Sequence, residues 1–496
     1  MRTVAVIGSG AAGLSAALAA ARAGAEVTVY ERADKLGGTT ALSGGVAWLP
    51  AHPGLDDDSP EMALRYMRAL AVGDVDDGLV EVFVHEAGST AARVERDTPL
   101  RLRPIPYSDY HAEFDGGRER GGRSLEPAPF DCEPAIAPLI RDAPNRGAPV
   151  TYVELTGAGV DESELERRRE RGTMTLGRAL VGGLAQACVH AGVGFRTGVR
   201  VRERPAADAV ILASGGFERS EPLVRSFLRG PMMAPTGAPG LEGDGLRIAM
   251  AAGAALGTMS EAWWCPAIRI PGEQIDGVPM YRLILAERAR PGSLIVDGSG
   301  HRFIDEAQNY NDLGRSLQNF DAASFRFQHV PAWLVFDAEY RGRFDLGPLR
   351  PSDPDPAWLL RGDSLNELAV AIGAPAEALA DTVTRFNEGA RDGIDPEFGR
   401  GSYAYDRFIG DFGPLTRPPY FAVEVVPGCL GTKGGPRTDS HGRVLSMDSG
   451  EPLPGLYAVG NAAASPFGLA YPGAGATLGP ALVFGFRAGD AAAEDG

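Results

Sequence analysis

Six residues near the amino end, Gly8-Ser9-Gly10-Ala11-Ala12-Gly13, place three glycines in Gly-x-Gly-x-x-Gly spacing, and Glu31 follows eighteen residues after the last of them. Such a turn binds phosphate. Gly8 permits the sharp reversal, Gly10 lets backbone approach a pyrophosphate, and Gly13 lets a helix lie close to a strand. Ala11, Ala12 and Gly13 head that helix, where free N–H groups and the positive dipole end face an anion. An acid at the position of Glu31 accepts hydrogen bonds from an adenosine ribose. Directly afterwards, RADKLGGTTALSGG crowds Arg32, Gly37, Gly38, Thr39, Thr40, Ser43, Gly44 and Gly45 into one loop, a second source of N–H and hydroxyl donors. The chemistry of this end is the binding of a dinucleotide.

The elements that position these residues surround them. Residues 3–7 (TVAVI) form a β-branched run suited to a buried parallel strand. LSAALAAARAG predicts an alanine-rich helix stopped at Gly24, and EVTVYE a second strand ending on Glu31. Glycines interrupt the apolar stretch too early for a secretion signal, and no other run reaches the length of a membrane span. The expectation is a cytoplasmic chain with no integral membrane segment. The 496 residues are 44% hydrophobic and 23% charged, enough for two or three domains and too apolar for disorder. With 48 basic against 65 acidic residues, the net charge of −17 repels nucleic acid. Cys132, Cys188, Cys265 and Cys429 contain no C-x-x-C pair, so they suggest neither a disulfide framework nor a metal site. Lysine occurs only at Lys35 and Lys433, which leaves few candidates for Schiff-base chemistry.

Three segments together resemble the FAD enzymes of the fumarate reductase and 3-ketosteroid dehydrogenase superfamily. They are the second glycine-rich loop; ADAVILASGGFE (207–218), with Ala213, Ser214 and Gly215; and GLYAVGNAAA (455–464), with Gly460 and Asn461. The resemblance implies FAD as cofactor and an α/β fold. It implies a Rossmann-type FAD-binding domain in two parts, 1–269 and 421–496, with an inserted α+β substrate or cap domain over 270–420. Within the insert, residues 366–393 predict two amphipathic helices around a Gly-Ala-Pro turn. The charged run ERRRERG (166–172) reads as a solvated helix face.

The segment FGLAYPGAGATLGPALVFG (467–485) narrows the family. Fumarate and succinate enzymes carry an Asn-Arg pair here that grips a carboxylate. This chain has Tyr471, a Gly-rich backbone, Ala476, Thr477 and Pro480, a set better suited to a neutral ketone than to a dianion. Tyr-x-Gly-x-Gly-Ala-Thr-x-Gly-Pro resembles the 3-ketosteroid Δ1-dehydrogenases. The resemblance implies that the Tyr471 hydroxyl and the Gly475 N–H hold a ketone oxygen, while residues 475–480 also line the flavin. HRFIDEAQNYNDLGRSL (301–317) is similar to that family's Arg-Phe-x-x-Glu segment, here Arg302, Phe303 and Glu306, and makes Tyr310 the base; Asp305 stands where the family has Asn. YSDYHAEFDGGRERGGRSLEPAPFD (107–131) resembles the segment that supplies a helper tyrosine, Tyr110, with Tyr107 as the fallback and Ala112 in place of a proline. His111 reads as a solvated loop residue. Trp263 and Trp264 read equally as a pocket wall or as core, and Lys433 as a flavin contact or a surface charge.

The implied reaction is the oxidation of a cyclic, steroid-like ketone to its α,β-unsaturated form, with a quinone, an electron-transfer protein or dioxygen as final acceptor. A desaturase or enone reductase acting on a smaller ring or a natural-product intermediate is the alternative within the class. A flavin-binding redox module without turnover is the alternative outside it.

Overall fold

A computed structural model describes residues 1–144 and 147–494, which form two compact units. The first comprises Met1–Phe227, Gly237–Ala262 and Gly431–Gly496. At its centre lies a six-stranded sheet in the order Arg443–Leu445, Pro452–Ala458, Ala209–Leu212, Thr3–Ile7, Glu26–Tyr30, Gly194–Arg196. All neighbours run parallel except Arg443–Leu445, which is antiparallel to Pro452–Ala458. Val4 pairs with Val27 on one side and Ala209 on the other, so Thr3–Ile7 is central and takes an unbroken apolar run. This parallel sheet is the expected Rossmann-type arrangement.

Helix Ala11–Arg22 follows the first strand and is buried from Ala11 to Ala20. It lies against the C-terminal helix Leu478–Glu494. Small residues allow that contact: a Cβ on Gly485 or Gly489 would run into Ser15 or the Ala16 carbonyl. Chain segments 466 residues apart, Ser15 and Ala481, thereby come within hydrogen-bonding distance.

The second unit comprises Leu228–Thr236 and Trp263–Leu430. Strands Ser293–Asp297, Ala332–Asp337 and Tyr420–Thr432 are antiparallel neighbours, with Ser293 opposite Phe336 and Ala332 opposite Val425. Their side chains alternate between two cores, as strand geometry requires. Leu294, Val296 and Val335 pack under helices Leu365–Ile372 and Ala376–Asp392. Ile295, Leu334 and Phe336 face Leu313, Leu317 and Tyr340. The two expected amphipathic helices are both present, separated at Gly373, which ends the first in a left-handed conformation (φ 72°).

The solvated helix face expected of ERRRERG is present with one exception. ERRRERG falls in helix Glu162–Arg171, but Arg168 is not on a solvated face. It is buried, with a fork onto Glu154 and a further bond to Glu164. Two carboxylates replace the water this guanidinium loses, whereas Arg167 and Arg169 remain exposed. The four cysteines are free thiols. Among the described residues, no helix is long and apolar enough to cross a membrane.

Candidate active site

The glycine turn of the first unit is bound tightly to the loop after the second strand. Glu31 accepts from Ser9 N (3.1 Å), Ser9 Oγ (2.5 Å) and Ala33 N (2.8 Å), and Ser9 Oγ accepts from Gly37 N at 2.9 Å. Thr40 Oγ1 accepts from Ala11 N, and Thr39 Oγ1 from Ala238 N, each at 3.0 Å. Arg32 pairs with Glu242 at 2.8 Å and also donates to the Gly240 carbonyl. Gly8, at φ 108°, lies so close to Ala213 that a side chain would strike its carbonyl. Ser214 accepts from Gly245 N, and Gly460 abuts Ala12. Helix Ala11–Arg22 has Gly10 as its N-cap, which offers no side chain; beyond the Ala11 N–H that Thr40 engages, its first turn presents backbone N–H groups. Gly38, Ser43, Gly44 and Gly45 lie on or beside the short helix Gly38–Leu42, with Gly45 against the backbone of Leu176.

Tyr471 and Gly475 lie on a strap whose carbonyls are held by hydrogen bonds. Lys433 Nζ donates to Gly468 O (3.0 Å) and Ala470 O (2.9 Å). Pro472 O accepts from Tyr66 Oη at 2.7 Å and from Tyr110 N at 3.0 Å. Ser124 Oγ donates to Ala474 O, and Trp48 N to Gly475 O. Among the described residues the Gly475 N–H makes no hydrogen bond. Gly475 and Thr477 are the partly exposed positions of an otherwise buried run from 471 to 480, which includes Ala476 and Pro480. Lys433 is 1% exposed, which rules out the surface-charge reading and makes it a clamp on the strap.

Tyr110 reaches the strap from the 107–131 segment. Its ring lies 5.3 Å from that of Tyr471, inclined by 30°. The preceding Asp109 anchors it, accepting from Trp48 Nε1 (2.8 Å), Arg118 N (3.1 Å) and Arg123 NH1 (2.7 Å). Burial pushes Asp109 up to about 6 while the Arg123 charge pulls it down. Arg123, wholly buried, also forks onto Asp58. Tyr107 is buried as well, with its ring 5.6 Å from Tyr152. His111 stacks on Phe114 and approaches Glu113.

Tyr310 belongs to the second unit, where it opens helix Tyr310–Ser316 and is 6% exposed. Asn309 caps this helix, accepting from the N–H groups of Asn311 and Asp312. Gly314 allows the helix to sit on the backbone of Cys265. The arginine and glutamate of the motif act as its frame. Arg302 forks onto Glu306 with two bonds of 2.8 Å and reaches Asp395 at 2.8 Å, and Arg400 joins Glu306 at 3.4 Å. Trp263 and Trp264 are both buried.

Beside this frame Asp305 faces Asp406. Burial first, then Asp406 and Glu306, push Asp305 up to about 8. An acid raised in the folded state stabilises fully below its unfolded value of 3.8, and that contribution is lost as pH rises through about 8. Asp305→Asn cannot ionise. In thermal melts across pH, its advantage over the unmodified chain should grow from about pH 4 to about pH 8 and then level off, reaching roughly 2–4 °C or more.

Residues 3–478 match the FAD binding domain family. The chain is 39% identical to 4-oxocyclohexanecarboxylate 2-dehydrogenase of Sinomonas cyclohexanicum, covering 98% of this chain and 92% of that one. It is 36% identical to 3-oxosteroid 1-dehydrogenase of Mycobacterium tuberculosis, covering 98% and 97%. Its fold is similar to the crystal structure of 3-ketosteroid Δ1-dehydrogenase from Sterolibacterium denitrificans in complex with 1,4-androstadiene-3,17-dione, with a TM-score of 0.92, 32% identity and 100% of both chains covered. The chain belongs to the 3-ketosteroid Δ1-dehydrogenase family.

As a member of that family it is an FAD-dependent oxidoreductase, and its residues fit the cofactor. The helix start with its glycine N-cap suits a diphosphate, and glycines at 8, 215 and 460, all at positive φ, let the chain pack closely around it. Three contributors escaped the sequence reading. Asp109 and Arg123 are fully buried charges, detectable in the text only as an Asp-Tyr pair and a Gly-Gly-Arg. Glu218 ends the second FAD segment, and nothing in ADAVILASGGFE distinguishes it from a surface acid.

Proposed function

We propose that this protein dehydrogenates a ring ketone to the α,β-unsaturated ketone, and that its substrate is an apolar, steroid-like 3-ketone. One observation carries the reading: hydrogen bonds hold the strap's carbonyls, while the Gly475 N–H, four residues from the Tyr471 phenol, makes none among the described residues. Two neutral donors on a rigid backbone suit a ketone oxygen on which enolate charge develops. The strap contains no arginine to pair with a carboxylate. Tyr471 and Gly475 hold the oxygen and acidify the adjacent C–H. Tyr310 takes the α-proton on its phenolic oxygen, and the family resemblance assigns Tyr110 the supporting role. FAD, when bound, supplies the acceptor for the hydride that leaves the β-carbon. Turnover then needs an external oxidant: a quinone, an electron-transfer protein or dioxygen. We infer a cytoplasmic enzyme, in keeping with four scattered free thiols.

The 39% identity to a 4-oxocyclohexanecarboxylate dehydrogenase favours a second reading, a smaller cyclic ketone. Anaerobic mixing separates the two. A 3-ketosteroid saturated at C1–C2 should bleach the flavin absorbance within a turnover time, and 4-oxocyclohexanecarboxylate should do so at least about 10-fold more slowly at equal concentration. The reverse order favours the small ring. Bleaching by neither compound sinks the ring-ketone reading.

A further inference from the structure

Glu218 is a buried carboxyl with one oxygen left over from its backbone contacts. It is 2% exposed, and its Oε2 has no hydrogen-bond partner among the described residues. A buried polar atom in that state costs free energy and calls for an explanation. Backbone N–H groups of Glu218 itself and Thr432 favour the charged form but do not offset burial, which pushes the group up to about 7. The neighbouring Arg219 directs its guanidinium to the carbonyls of Gly237 and Ala238.

The surroundings of the carboxyl indicate what it is for. Three chain segments leave out a side chain beside it. A Cβ on Gly216 would lie 2.5 Å from Oε2, and a Cβ on Gly237 or Gly431 would lie 2.9 or 3.6 Å from Oε1. The same three Cβ positions fall next to the hydroxyls of Thr432 and Thr39 and the amide of Asn461. All of these residues belong to the first unit, and Thr39, Asn461 and the 213–216 turn come from the three segments that carry the FAD signature. The unpartnered oxygen thus lies among glycines, two hydroxyls and an amide drawn from the segments with the FAD signature.

We propose that Glu218 is a cofactor-contact residue, whose Oε2 forms a hydrogen bond with a polar group of bound FAD. The proposal rests on FAD binding by this family and adds a residue to it. It separates cleanly from a structural role. A structural carboxyl stabilises the protein with or without cofactor, whereas a contact residue is a burden until the cofactor arrives. Glu218→Leu should therefore leave the melting temperature of FAD-depleted protein unchanged or raise it, while weakening FAD binding in a fluorescence titration at least about 10-fold. Glu218→Gln, which keeps the shape and the hydrogen-bonding ends, should stay within about 3-fold of the unmodified protein.

Full FAD affinity in Glu218→Leu overturns the proposal, as does a melting temperature of the depleted protein that falls as far as the loaded one. Infrared difference spectra of the unmodified protein, FAD-loaded minus depleted, give an independent check if the leucine variant fails to fold. A carboxyl band that shifts on loading and is missing in Glu218→Gln supports the contact; a band that does not move overturns it. These readouts use no ketone, so they stand apart from the test of the substrate.

Discussion

Tyr310→Phe should lower turnover with a ring ketone by about 10²–10⁴-fold, the range for loss of a general base, while the protein stays yellow. The variant removes one oxygen and leaves the ring. The helix that carries the ring is held by groups the substitution does not touch: the Asn309 cap, the close approach of Gly314 to Cys265, and the Arg302–Glu306 fork. Folding and FAD content should therefore match the unmodified protein in visible absorbance and in melting. A phenol near its usual pKa of about 10 is a weak base, so the large effect requires that its phenolate be stabilised during reaction. Single-turnover reduction of the flavin under anaerobic conditions isolates the step. Reduction within about 3-fold of the unmodified rate would remove Tyr310 from proton transfer and leave the base to be found elsewhere.

The dinucleotide cradle was legible because its information is local. A strand, three glycines, a helix and an acid lie within some thirty residues, and each residue type has one physical task there. The strap was legible only as a pattern of residue types. The bonds that hold it come from Tyr66, Tyr110, Ser124, Trp48 and Lys433, spread over almost the whole chain. Pairings such as Tyr66 with Pro472, 406 positions apart, leave no periodic trace. Buried charge was the least legible feature. Arg168 looks like its exposed neighbours in ERRRERG, and only the fold reveals that Glu154 and Glu164 meet it. Arg302 and Glu306 carry a family signature, but their partners Asp395 and Arg400 lie some ninety residues away. Glu218 is the extreme case, because the feature that sets it apart is a missing partner.

Gly475→Ala should cost about 10²–10³-fold in kcat/KM, the usual loss when one oxyanion donor is displaced. The argument is steric before it is electronic. Gly475 sits at φ 92°, and a Cβ there would run into the Val46 carbonyl oxygen and lie 2.7 Å from Ala47 N. Both obstacles are backbone where Val46 enters the strand Ala47–Trp48, which is paired with Ser124–Leu125, so they cannot yield cheaply. The strap must yield, and with it the direction of the Gly475 N–H. Strain from positive φ alone would have a similar energetic cost without that geometric consequence, so a control is needed. Gly450 has φ 73° and nothing within 4 Å of its absent Cβ. Gly450→Ala should lower stability by about 1–2 kcal/mol and leave kcat/KM unchanged. If Gly475→Ala behaves like this control, the amide does not hold the ketone. If it loses FAD along with activity, the strap serves the cofactor first, and the carbonyl-binding role passes to Tyr471 alone.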